Sequence, residues 1–123
     1  FCESAEKGHS NRGDSGRIID AIGTEGDPAR LDSQCKYSLV ARGQADGYLR
    51  LPTSKTYVEK IWDHAAGMCI ATEAGAIVSD VSGKPLDFTH GYRLEENRGV
   101  ICATDGLHQQ IIAAINDLAI AQE

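Results

Sequence analysis

Ile61-Trp62-Asp63-His64-Ala65-Ala66-Gly67-Met68-Cys69-Ile70-Ala71-Thr72-Glu73-Ala74-Gly75 is the stretch around which this 123-residue chain is organised. It predicts a helix over 61–75 built mostly from small residues. Ala65, Ala66, Gly67, Ala71 and Ala74 carry almost no side chain, so another element can pack close to the backbone. Gly75 is a natural stop, because glycine accepts the left-handed conformation at a helix end. Asp63 falls in the expected first turn, where the helix dipole stabilises a carboxylate. Such a carboxylate suits Mg²⁺, which takes hard oxygen ligands. It suits equally an N-terminal cap, and the segment alone leaves both roles open.

On the N-terminal side, Phe1-Cys2-Glu3-Ser4 reads as the end of a strand. A polar, glycine-rich stretch over 6–16 reads as a loop and contains His9, which by itself fits a surface histidine as well as a ligand contact. Arg17–Ile22 predicts a short amphipathic helix and Ala29-Arg30-Leu31 a brief strand. Asp32-Ser33 caps a helix to about Arg42, with Cys35, Leu39 and Val40 on its buried face. Lys36 sits in its first turn, where the dipole disfavours a cation. With Ser33 and the free amides it would form an anion pocket; from position alone it could equally bend into water. Tyr48-Leu49-Arg50-Leu51 predicts a strand in which Arg50 shares a face with Tyr48 and not with the leucines. There it could hold a phosphate or carboxylate in a fork, or simply pair with a surface acid.

On the C-terminal side, 76–80 reads as a strand, and 86–98 is polar and irregular. Gly99-Val100-Ile101-Cys102-Ala103 is a continuous apolar run that suits a buried strand. Thr104 or Asp105 caps a last helix whose Ile111, Ile112, Ile115, Leu118 and Ala119 form an apolar stripe. The alternation of strands and helices predicts an α/β fold, a layered sheet with flanking helices, as a single domain over 1–123.

A formal net charge of -6 argues against a nucleic-acid polymer as partner. No apolar run is long enough to span a bilayer, so no membrane is expected. Cys2, Cys35, Cys69 and Cys102 form no CxxC motif. Each lies among apolar neighbours, so reduced, buried thiols and a cytoplasmic location are expected. The chain opens at Phe1 in what looks like the end of a strand, which predicts a piece of a longer protein.

Trp62-Asp63-His64-Ala65-Ala66-Gly67 followed by Glu73-Ala74-Gly75 resembles the second signature of the inositol monophosphatase superfamily, metal-dependent and lithium-sensitive phosphomonoesterases. The resemblance implies that Asp63 is a Mg²⁺ ligand. Ala76, where many members carry a second glycine, is a departure that implies a slightly different turn. Further stretches are similar to the fungal-type 3′(2′),5′-bisphosphate nucleotidases of that superfamily. They are Glu6-Lys7-Gly8-His9-Ser10, Leu31-Asp32-Ser33-Gln34-Cys35-Lys36-Tyr37, Ala45-Asp46-Gly47-Tyr48-Leu49-Arg50-Leu51-Pro52 and Pro85-Leu86-Asp87-Phe88. The resemblance implies that His9, Ser33, Lys36 and Arg50 line the nucleotide and phosphate side of a site. It also implies removal of the 3′-phosphate of adenosine 3′,5′-bisphosphate to give AMP, action on 3′-phosphoadenylyl sulfate, and a place in sulfur assimilation.

The superfamily's first metal motif, an Asp-Pro-x-Asp-Gly-Thr-type loop, is absent. The chain therefore resembles the C-terminal domain only, its partner would be an N-terminal domain of the same protein, and the chain alone is expected to be inactive. An inositol phosphate phosphatase and a non-catalytic α/β binding module are the alternatives.

Overall fold

Strand β3 (Gly47–Arg50) divides its side chains between two layers. In the computed structural model, which describes residues 1–5, 8, 10–24 and 26–121, Tyr48 packs in one core and Leu49, with Leu51 beyond it, in another. Strand β5 (Val100–Ala103) divides in the same way: Val100 and Cys102 join Tyr48, while Ile101 and Ala103 join Leu49. Successive strand residues face opposite sides, so a sheet covered on both faces needs an unbroken apolar run, which β5 supplies.

Three further strands are β1 (Cys2–Ser4), β2 (Ala29–Leu31) and β4 (Ile77–Ser79). The sheet order is β2-β1-β3-β5-β4. β1 runs parallel to both neighbours, and β5 runs antiparallel to β3 and β4, with Tyr48 opposite Cys102. Helices α2 (Cys35–Ala41) and α3 (Ala65–Glu73) cover the Tyr48 face, through Tyr37, Val40 and Ala71. Helices α1 (Arg12–Ile22) and α4 (Asp105–Asp117) cover the Leu49 face, through Ile18, Ile111, Ala114 and Ile115. The result is the layered α/β arrangement that the alternation predicts.

Three local expectations are corrected. Helix α1 starts at Arg12 and not at Arg17. The Asn11 side chain accepts a hydrogen bond from the Asp14 amide at 3.1 Å, and this cap outweighs the helix cost of Gly13 and Gly16. The predicted helix over 61–75 is broken: Ile61–Asp63 form a 3₁₀ turn, His64 leaves helical geometry at φ -135°, and the α-helix begins at Ala65. The break coincides with the His64 ring turning into the interior. The cysteines split into buried Cys2 and Cys102 and exposed Cys35 and Cys69. Cys35 is exposed because Lys36, Tyr37 and Val40 form the buried face of α2.

Gly67 is where α3 meets α2. A Cβ there would lie 2.2 Å from Tyr37 Cδ2 and 3.0 Å from Gln34 Oε1. Gln34 joins the two helices at this point: its Oε1 accepts from the Gly67 amide at 2.6 Å and its Nε2 donates to the Trp62 carbonyl at 2.8 Å. This clamp fixes the Trp62–Asp63 turn against the start of α2. The irregular segment 86–98 is held as well, since the Ile61 amide donates to the Tyr92 carbonyl at 3.0 Å and the Leu94 amide to the Glu59 carbonyl at 2.9 Å.

Candidate functional site

The start of α2, the end of β3 and the Ile61–Asp63 turn enclose a cavity of about 600 Å³ whose lining includes Ser33, Lys36, Arg50 and Asp63. Four of the five site residues expected from the sequence are thus brought together. The fifth, His9, lies outside the described residues.

Ser33 is not a helix cap in the expected sense. It occupies the left-handed region at φ 68°, and its Oγ accepts from the Cys35 amide at 3.3 Å. A serine held there is strained. α2 has only 7 residues, so the expected anion pocket rests on side chains and not on a helix dipole. Lys36 does not bend into water: it is buried, its Nζ lies 5.3 Å from the Tyr48 ring centroid, and Nζ donates to the Ser33 carbonyl at 2.9 Å and the Leu31 carbonyl at 3.3 Å. Burial and the Arg50 charge push its pKa down. An ammonium has three donors, so two carbonyls leave one hydrogen for a ligand in the cavity.

The close partner of Arg50 is a buried acid. Its Nε lies 2.8 Å from Glu59 Oε1, an ion pair with both side chains under 10% exposed; the Nε–H has no aligned hydrogen bond. The same oxygen lies 2.8 Å from His64 Nε2, and His64 Nδ1 lies 2.6 Å from the Tyr37 hydroxyl. Burial raises the Tyr37 pKa well above its ordinary value. With Tyr37 donating to Nδ1 and Nε2–H donating to Glu59, one tautomer satisfies the chain of groups. Burial alone would raise the pKa of Glu59, but the His64 hydrogen bond and the Arg50 charge outweigh it and hold the carboxyl below its usual range. Arg50 is thereby fixed from behind, with its NH2 3.9 Å from Asp63 Oδ2.

Asp63 does not cap α3. The cap position is His64, which has no side-chain cap bond, and Asp63 is 42% exposed at the cavity. A carboxylate so placed fits one ligand position of a hard cation. Among the described residues no group of three His, Cys, Asp or Glu side chains is placed to hold a metal. The described part of the chain therefore fits a contribution to a metal site and not a whole one.

The sequence does not single out Gln34, which lines the cavity, or Glu59, His64 and Tyr37, which connect to Arg50 without lining that cavity. His64 lies inside the quoted motif, where a histidine before an alanine-rich helix was an available signal. Glu59 lies in a connector with no periodicity, and nothing marks it in the sequence.

The family model described as "Inositol monophosphatase family" matches residues 1–119. This chain belongs to the inositol monophosphatase family. Among the family's curated proteins, the 3′(2′),5′-bisphosphate nucleotidase of Schizosaccharomyces pombe is 50% identical over 114 residues, covering 93% of this chain and 32% of that protein. The namesake from Emericella nidulans is 48% identical over 115 residues, covering 94% and 33%. The chain thus spans about a third of the length of the curated relatives it matches. A solved Thermotoga maritima IMPase superposes with a TM-score of 0.65 at 20% identity, covering 96% of this chain and 40% of that one. At that identity the likeness speaks for the fold alone. Among the described residues no helix is long and apolar enough to cross a membrane.

Proposed function

We propose that this chain forms the substrate-binding side of a Mg²⁺-dependent 3′(2′),5′-bisphosphate nucleotidase. The whole protein removes the 3′-phosphate of adenosine 3′,5′-bisphosphate to give AMP and phosphate, and acts also on 3′-phosphoadenylyl sulfate. The observation that carries the reading is the convergence of Lys36, Arg50, Ser33 and Asp63 on one cavity, together with the names of relatives near 50% identity. Lys36 and Arg50 offer opposite charge to phosphate oxygens, Arg50 as a planar fork and Lys36 as a point charge. The Glu59–His64–Tyr37 chain behind Arg50 fixes the guanidinium, so little side-chain freedom remains to be lost on binding. Asp63 supplies one metal ligand. An ion held there would supply water activation and would offset phosphate charge. Its other ligands belong to the part of the relatives' length that this chain does not span. The isolated chain is therefore inactive, and it needs that part as its partner. Unpaired cysteines suit a cytoplasmic location.

The test is a substrate panel on the full-length protein. Phosphate release from adenosine 3′,5′-bisphosphate should exceed release from inositol monophosphate at equal concentration. The reverse preference would assign the protein to inositol phosphates instead.

A further inference from the structure

Trp62 is the only tryptophan in the chain. It stands at the cavity beside Asp63 and is 60% exposed. Leaving an indole in water forgoes much of the hydrophobic stabilisation that burial would give. Yet this ring is not loose. One face lies against Tyr92, with centroids 5.7 Å apart and planes 6° from parallel. The Arg93 guanidinium lies 5.3 Å from the Tyr92 ring centroid. The Trp62 backbone is held by Gln34, and the neighbouring Ile61 amide is held by the Tyr92 carbonyl. The chain thus spends several contacts on fixing a large aromatic ring that it does not bury.

The cavity lining combines two chemistries. Lys36 and Arg50 supply cationic groups. Trp62, Tyr57 and Ile70 supply exposed aromatic and aliphatic surface, at 60%, 43% and 51% exposure. A ligand that fits both carries an anionic group and a flat π-system. A polyol phosphate has the first and lacks the second. Stacking is tolerant of ring identity, because every base has a π-face.

We propose that Trp62, backed by Tyr92, is the platform on which the base of the nucleotide stacks while its phosphate lies at Lys36 and Arg50. The inference rests on the reading of this cavity as a nucleotide site and adds the residue that selects nucleotides over polyol phosphates.

Because Trp62 is the only tryptophan, its fluorescence reads the contact directly. The chain is titrated with AMP and, separately, with ribose 5-phosphate, with excitation at the red edge of the indole band beyond adenine absorption. Calorimetry runs in parallel on the wild type, Trp62→Ala and Trp62→Phe. The expected result is quenching by AMP and not by ribose 5-phosphate. AMP should bind the wild type more tightly than ribose 5-phosphate, with about 10-fold of that advantage lost in Trp62→Ala and largely kept in Trp62→Phe. Equal affinity for the two ligands, or AMP binding without any change in emission, would overturn the platform and leave the phosphate site intact. Failure of both ligands to bind the wild type would overturn the nucleotide reading itself, and the platform with it.

Discussion

Replacing Gly67 by alanine tests the joint on which the site is assembled. The added methyl would stand 2.2 Å from Cδ2 and 2.6 Å from Cγ of Tyr37. Tyr37 cannot retreat freely. It is fully buried, meets Tyr48 edge-on at 4.9 Å, and its hydroxyl is tied to His64 at 2.6 Å. Overpacking of this kind costs about 1–3 kcal/mol. Breaking the buried Tyr37–His64 bond to make room costs about 1–3 kcal/mol more. Alanine returns about 1 kcal/mol through its helix propensity. The net loss is about 3 kcal/mol, or roughly a 10 °C drop in Tm for a domain of this size. Gly16→Ala is the control, since that glycine lies within α1 with nothing within 4 Å of its added Cβ. It should gain about 0.5–1 kcal/mol. Thermal and urea unfolding followed by circular dichroism reads both variants. A Gly67→Ala protein as stable as the wild type would refute the claim that α2 and α3 close directly on this glycine.

Glu59→Gln leaves Arg50 buried without its close acid and should destabilise the chain by about 2–3 kcal/mol at neutral pH. Because the folded pKa of Glu59 is held below its ordinary 4.5, its contribution is complete above that value and is lost as pH falls through the depressed one. Denaturation from neutral to acidic pH should show a smaller acid loss in Glu59→Gln than in the wild type. Lys36→Met keeps the packing and removes the charge; it should weaken phosphate and AMP binding by about 1.5–3 kcal/mol, and unchanged calorimetric affinity would place no ligand at Nζ. Asp63→Asn in the full-length protein should keep the fold and greatly lower turnover at saturating Mg²⁺, because a neutral amide binds that ion poorly; near-normal phosphate release would remove Asp63 from the metal site.

The layers were legible in the sequence because two-residue alternation has a direct physical meaning. Leu49 and Leu51 against Tyr48 and Arg50, and the apolar run of β5, assign both faces of the sheet. The isoleucines of α4 are equally plain, with Ile111 and Ile115 fully buried, but the helix ends at Asp117 and Ala119, expected to continue the stripe, is exposed at φ 54°. Where one residue's side chain overrides its neighbours' propensity, the reading failed. Asn11 starts a helix in spite of two glycines, and inward-turned His64 breaks one that its alanines would continue. The site was half legible. Ser33, Lys36, Arg50 and Asp63, singled out by motif likeness, all line one cavity. Glu59 carries no periodic signal, because its role arises from contacts with two other elements: β3 delivers Arg50 and the cap position of α3 delivers His64. The burial of Lys36 was likewise undecided by sequence, since it depends on two carbonyls that only the Ser33 turn brings to Nζ.

In the proposed function this chain holds the nucleotide-binding side of a divided active site and too few metal ligands for catalysis. Calorimetric titration of the 123-residue chain with AMP and with Mg²⁺, beside a phosphate-release assay on adenosine 3′,5′-bisphosphate, tests it most directly. Measurable AMP binding, weak Mg²⁺ binding and no phosphate release are expected. Mg²⁺-dependent turnover by the purified chain, free of full-length protein, would contradict the proposed function.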